Sequence, residues 1–225
     1  MNDGPRGRVL VAVHDPAVAD ELFELGIDLA SRRERQLLAL VREASELAVA
    51  GALPFVLEVD RWSGALRPFD SEAARRAMMR VARDCESRLS GLAAARRVQT
   101  AMEIIRGRLL AASLAALSSR DVLLLGGAAP PGFARPARVA HRRIGVVTGD
   151  GGGDESAFEL ARELLGDATR AAASIVPIPA DGQFAQATRE EIGFLVLSRL
   201  RADEDTAALQ RYLCVPGRCV LVTGG

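Results

Sequence analysis

Asp121-Val122-Leu123-Leu124-Leu125-Gly126-Gly127 is the stretch that decides the fold. Four apolar residues closed by two glycines read as a strand buried on both faces. That suits the middle of a parallel sheet better than an edge. Glycine has no Cβ, so the backbone there can turn sharply or let a ligand approach closely. In open parallel sheets, ligands sit beyond the carboxyl ends of the strands. The site is therefore expected just past Leu125.

Working outward, residues 8–13 form a short run rich in β-branched side chains, stopped by His14-Asp15-Pro16, because proline cannot continue a central ladder. Ala19, Leu22, Phe23, Gly26, Ile27 and Ala30 then recur at the spacing of one helical face, and residues 36–41 read as a second strand. Residues 44–69 are irregular and read as an excursion off the sheet, with a short helix at 45–52 and a strand at 53–59 as candidates. Asp70-Ser71 supplies an N-cap, and Ala74, Ala77, Met78, Val81, Ala82, Cys85 and Leu89 make one helical stripe. A third strand is expected over 99–105, broken by Gly107, and a helix over 109–117. Strand–helix alternation of this kind predicts a doubly wound parallel α/β sheet. Residues 126–138, rich in Gly, Pro and Ala, are the best candidate for a domain junction.

The segment beyond the junction copies the start of the chain. Residues 143–150 lie under residues 8–15 without a gap, Phe158-Glu159-Leu160 under Phe23-Glu24-Leu25, Leu164 under Leu29, and Ile175-Val176 under Leu40-Val41. Two tandem units are expected, 8–138 and a shortened 139–225. In the second, residues 194–198 repeat the pattern of 122–126, residues 206–213 read as a helix, Pro216-Gly217 as a turn and residues 218–222 as a last strand. The first unit has no equally clear final strand after Gly127.

Composition excludes several classes. Of 225 residues 49% are hydrophobic, enough for a sizeable core, but only 4% are aromatic, so packing rests on Leu, Val and Ala. Formal net charge is zero, which offers no global attraction to nucleic acid or to an anionic membrane. No apolar run approaches the roughly 20 residues that span a bilayer, and residues 1–8 carry no signal-peptide core, so a cytoplasmic protein is expected. Three cysteines without a C-x-x-C pair suggest neither a disulfide framework nor a zinc site. There is no Ser/His/Asp set in recognisable context, no Walker loop and no G-x-G-x-x-G after a strand, so a catalytic role is not expected.

The opening strand 9–13 ending near an aspartate, the strand 37–41, the element Ile104-Ile105-Arg106-Gly107 leading into a helix, residues 121–126, and the ending 209–222 resemble the universal stress protein family. The resemblance covers most of the chain. It implies an open parallel α/β sheet, a cytoplasmic location, dimers or pseudo-dimers and, in some members only, ATP or AMP as ligand. It places a nucleotide around Val13, His14, Asp15, Val41 and Gly107, and around Gly126, Gly127, Gly132 and Arg142 past the central strand.

Members that bind ATP carry a loop of Gly, two residues, Gly, nine residues, then Gly and Ser or Thr, whose bare amides cradle phosphate. Here Ala129 stands three positions after Gly126, and Pro130 after Gly127. Pro130 and Pro131 also remove two amide donors. Arg142-Arg143 occupies the place of the final Gly-Ser/Thr, and Ser198-Arg199-Leu200-Arg201 in the second unit has no glycine. The cradle is degenerate in both units. The sequence therefore reads as a non-catalytic universal-stress-type protein acting through a small molecule or a protein partner. The alternative is an atypical ATP or AMP binder, in which Arg135, Arg138, His141, Arg142 and Arg143 hold phosphate by side chains.

Other candidates have two readings each. Asp15 either contacts a ligand or caps the following helix. The glycine-rich residues 148–154 either wrap an anion or form a solvent loop. Trp62 and Phe69 either anchor the excursion or cover a pocket. Cys85 is expected in the core, Cys219 inward on the last strand, and the exposure of Cys214 is open.

Overall fold

A computed structural model describes residues 7–13, 19–42, 53, 55–60, 62–126, 143–148, 154–165, 175–181, 183–189, 192–215 and 218–224. The chain opens with β1 (Val9–Val13), α1 (Ala19–Arg32) and β2 (Leu37–Arg42). A hairpin comes next, β3 (Leu57–Val59) and β4 (Leu66–Pro68), then α2 (Ser71–Ala94), β5 (Thr100–Ile105), α3 (Leu109–Ala116) and β6 (Val122–Gly126). The remainder is β7 (Ile144–Thr148), α4 (Asp154–Leu165), β8 (Ile175–Pro179), α5 (Gln183–Arg189), β9 (Phe194–Ser198), α6 (Arg199–Glu204), α7 (Thr206–Leu213) and β10 (Cys219–Thr223).

Eight strands make one sheet, in the order β5-β2-β1-β6-β10-β9-β7-β8, and β3 and β4 make a separate pair. The α/β class and the sheet flanked by helices are as the alternation implies. The central run is buried along Val122, Leu123, Leu124 and Leu125. Side chains alternate between faces. Val9, Val11, Leu124 and Val196 pack with α1, α2 and α4, while Leu10, Ala12, Leu125 and Leu197 pack with α3, α5, α6 and α7.

β1 lies between β2 and β6, and β7 between β8 and β9, all four pairings parallel. Among the described residues one pairing of the eight-stranded sheet is antiparallel, β6 with β10. The chain's last strand thus takes the place beside β6 for which residues after Gly127 offered no strand. β10 pairs with β9 on its other edge. Both edges of Val220–Val222 are occupied within the chain, so no second chain can pair there. The excursion is a hairpin off the main sheet, and the strand candidate at 53–59 shortens to β3. The helix candidate at 45–52 and the junction past Gly126 lie outside the described residues.

One expectation needs correction. The stripe on α2 is not continuous core: Ala82, Cys85 and Leu89 are buried, but Ala74, Ala77 and Met78 are only half-buried and Val81 is exposed. At 1.5 Å per residue, a 24-residue helix spans about 36 Å, roughly twice the length of a five-residue strand. Its first half therefore overhangs the sheet.

Asp121 fastens the amino end of β6. Its carboxylate accepts hydrogen bonds from the Arg8 backbone N–H at 2.6 Å, the Arg8 guanidinium at 3.0 Å and the Ser118 N–H at 3.1 Å, and its carbonyl accepts from the Gly224 N–H at 3.0 Å. Burial by itself raises the pKa of this carboxyl, but the donors from Arg8 and Ser118 outweigh it and hold the group below its ordinary value. We expect Asp121→Asn to lower unfolding stability by about 2–4 kcal/mol at neutral pH, measured by urea denaturation. Because the folded-state pKa is depressed, this contribution is complete above the unfolded value of about 3.9 and disappears as pH falls through the lower folded value. A wild-type–variant difference that stays constant on acidification below that range would contradict the assignment.

Candidate functional site

The sheet order reverses between β1 and β6: α1 carries the chain from β1 to β2 over one face, and α3 carries it from β5 to β6 over the other. Such a switch point leaves a crevice at the carboxyl ends of the strands. A pocket of about 430 Å³ sits there, lined by Ala12, Arg42, Leu125 and Gly126 from the strand ends, and by Arg108, Leu109, Leu110 and Ala111 at the start of α3. The far wall comes from Thr206, Ala207, Gln210, Leu213 and Cys214 on and just past α7. The volume falls within the range of small-molecule sites, about 300–1,000 Å³.

Its polar character is electropositive. Arg42 ends β2, and Arg108 is the N-cap of α3 with no side-chain cap bond. The Arg108 side chain is exposed and makes no hydrogen bond or ion pair among the described residues. The first turn of α3 contains no acidic residue. By helix geometry, the N–H groups of Leu109, Leu110 and Ala111 have no acceptor inside the helix and add the positive end of its dipole. Among the described lining residues there is no carboxylate and no imidazole. Thr206, Gln210 and Cys214 add uncharged polar groups, and the remaining lining is glycine and aliphatic. Chemically, the pocket can hold a small anion carrying an apolar portion.

The residues singled out from sequence fall around this pocket unevenly. Gly126 lines it. Val13 and Val41 end the right strands, but their side chains lie in the core on the α1 face, 1% and 6% exposed. Their neighbours Ala12 and Arg42 face the pocket instead, one residue away and therefore on the other side of the sheet. Gly107 makes a left-handed turn, φ +88°, that launches α3, and it is not in the lining. His14, Asp15, Gly127, Gly132 and Arg142 lie outside the described residues, as do Arg135, Arg138 and His141 and the glycine-rich segment 149–153. Arg143 precedes β7. The wall from α7 and the N-cap Arg108 were not found from sequence. A cationic residue between Gly107 and an apolar helix was the available signal for Arg108.

Gly126 has a packing reason to be glycine. A Cβ there would stand 2.5 Å from Leu22 Cδ1 and 3.0 Å from its Cγ, on the α1 face and away from the pocket. Leu22 is itself buried, 4% exposed, so it has little room to yield.

The cysteines divide cleanly. Cys85 is fully buried; burial pushes its thiol pKa up, against the opposing hydrogen bond that Arg88 donates to Sγ at 3.4 Å. Cys219 is half-buried, and Cys214 is exposed in the pocket wall. Trp62 covers no pocket: it is 97% exposed. Among the described residues no three His, Cys, Asp or Glu side chains are grouped to hold a metal, and no helix is long and apolar enough to cross a membrane.

No protein-family model matches this chain, and no curated protein matches it. Among solved structures, a universal stress protein from Archaeoglobus fulgidus DSM 4304 is similar at 7% identity, over 97% of this chain and 96% of that one, with a TM-score of 0.45. A functionally unknown protein from Pseudomonas aeruginosa PAO1 is similar at 13% identity, over 97% of this chain and 92% of that one, with a TM-score of 0.37.

Two outcomes test this placement. Gly126→Ala should cost about 1–3 kcal/mol of stability through overpacking against Leu22, and Gly126→Ala with Leu22→Ala should recover part of that loss in a double-mutant cycle. Strict additivity would place the constraint elsewhere. A maleimide at neutral pH should label Cys214 well before Cys85, which reacts only on unfolding; comparable rates by mass spectrometry would contradict the burial of Cys85.

Proposed function

We propose that this chain is a non-catalytic, universal-stress-type protein with a stress or regulatory role, built from two tandem α/β units and acting through a small anionic ligand held at the β1/β6 switch point. The observation that carries the reading is the pocket itself: about 430 Å³ beyond the central strand, with Arg42 and Arg108 in its wall. The tandem reading is supported by matching neighbours, since β1 and β7 each lie between two parallel partners that come after them in sequence. The non-catalytic reading rests on the sequence, which has no Ser/His/Asp set in recognisable context, no Walker loop and no G-x-G-x-x-G after a strand.

ATP or AMP is the second reading, and Arg108 favours it. A guanidinium with no partner among the described residues, beside the open first turn of a helix, can take phosphate oxygens by a different route from a glycine loop.

Thermal unfolding in the presence of ATP, AMP and pyrophosphate tests both. A ligand at about one hundred times its dissociation constant adds roughly 2.7 kcal/mol, a shift of several degrees. The expected result is stabilisation by at least one of the three, largely lost in Arg108→Ala, together with slower maleimide labelling of Cys214 when the ligand is bound. Stabilisation by pyrophosphate alone removes the nucleotide reading, and no stabilisation by any of the three removes the anion reading. ATP hydrolysis above background would contradict a non-catalytic role.

A further inference from the structure

The β3–β4 hairpin has one apolar face that nothing among the described residues covers. Leu57 pairs directly with Pro68, and Val59 with Leu66, so all four side chains project on the same side. Glu58 and Arg67 pair on the other side and form a salt bridge. On the apolar side Leu57, Val59 and Leu66 are 53%, 63% and 65% exposed, and Phe55, just before β3, is 74% exposed. At the tip stands Trp62, 97% exposed.

Hydrogen bonds tie the described residues of that tip to one another. Asp60 Oδ1 accepts from the N–H of Trp62 at 3.0 Å and from the N–H and hydroxyl of Ser63 at 2.8 Å each, and Gly64 turns the chain with φ +70°. The Asp60 N–H donates to the Ala65 carbonyl at 2.8 Å and closes the turn. The turn presents the largest apolar side chain of the protein to water. An isolated two-stranded hairpin is marginal in water and needs its apolar face packed.

From this we infer that the hairpin face is the interface of a two-fold homodimer, in which two copies lay Phe55, Leu57, Val59 and Leu66, with Trp62 at the tip, against one another. Area and charge select a second copy as the occupant. Scaling about 150–250 Å² for a fully exposed aromatic side chain, and somewhat less for an aliphatic one, by these exposures, Phe55, Leu57, Val59, Trp62 and Leu66 together present roughly 600 Å². Two such faces together bury about 1,200 Å², at the lower end of the roughly 1,200–2,000 Å² of specific interfaces. The face carries no charge, and Glu58 and Arg67 neutralise each other behind it, so a copy meets no repulsion and a charged partner meets no complement. A two-fold interface needs only such a self-complementary patch.

Trp62 is the only tryptophan, which makes the test direct. Light scattering after gel filtration should give a dimer, and dilution into monomer should shift the tryptophan emission to the red as Trp62 returns to water. Leu66→Asp places a charge on an exposed position of the face. It should keep the circular dichroism of the wild type, weaken self-association at least tenfold and show red-shifted emission at every concentration. A wild-type protein that stays monomeric at the highest concentration, whether or not it binds some other protein, overturns the inference. So does a dimer whose tryptophan emission remains that of a solvent-exposed side chain, or one that Leu66→Asp leaves intact.

Discussion

The whole arrangement depends on β10 lying between β6 and β9. It runs antiparallel to β6 and parallel to β9, and so joins two sets of parallel strands into a single sheet. Val220, Leu221 and Val222 are fully buried, so leaving the strand unpaired would strand backbone amides in an apolar core. The direction of the strand matters as much as its place. Because β10 is antiparallel to β6, Cys219 at its start is opposite Gly126 at the end of β6. The helix that leads into β10 is therefore delivered to the carboxyl ends of β1 and β6, where α7 becomes a wall of the pocket. Contacts on both faces hold the same joint. Arg33 pairs with Glu163 between α1 and α4, and on the other side the Arg199 guanidinium donates to the Leu117 carbonyl at 2.7 Å.

Most of the scaffold was legible in the sequence, because local signals agreed with the tertiary fold. The runs at 9–13 and 122–126 are apolar throughout, as strands covered on both faces must be, and both are strands. The spacing over 206–213 gave α7 at the observed bounds. Legibility failed where the answer depends on partners distant in the chain. Nothing local in residues 219–223 says that the strand will lie antiparallel to residues 122–126. The stripe on α2 has helical spacing along its length, yet only a sheet long enough to receive it could bury its first half.

The candidate site was legible in position but not in side-chain detail. A crevice past Leu125 was expected and is present. The side chains nominated on β1 and β2, Val13 and Val41, sit one residue from the ones that face the crevice, Ala12 and Arg42. In a strand covered on both sides, composition does not reveal which parity faces which helix layer, and one residue is a full change of face. Gly126 carries a parallel lesson. Its lack of a side chain is accounted for by Leu22 across the α1 layer, so a glycine at a strand end is not by itself a mark of phosphate binding. The positive character of the crevice comes instead from arginines at the ends of a strand and a helix.

Hydrogen–deuterium exchange resolved to individual amides tests the keystone role of β10 most directly. If β10 closes a single sheet, the amides of Val220, Leu221 and Val222 should exchange only through global unfolding, as slowly as those of Val11 and Leu124. Amides in β10 that exchange orders of magnitude faster than those in β1 and β6 would mean that the last strand is a loosely docked edge, and that the pocket wall built from α7 is not part of the folded core.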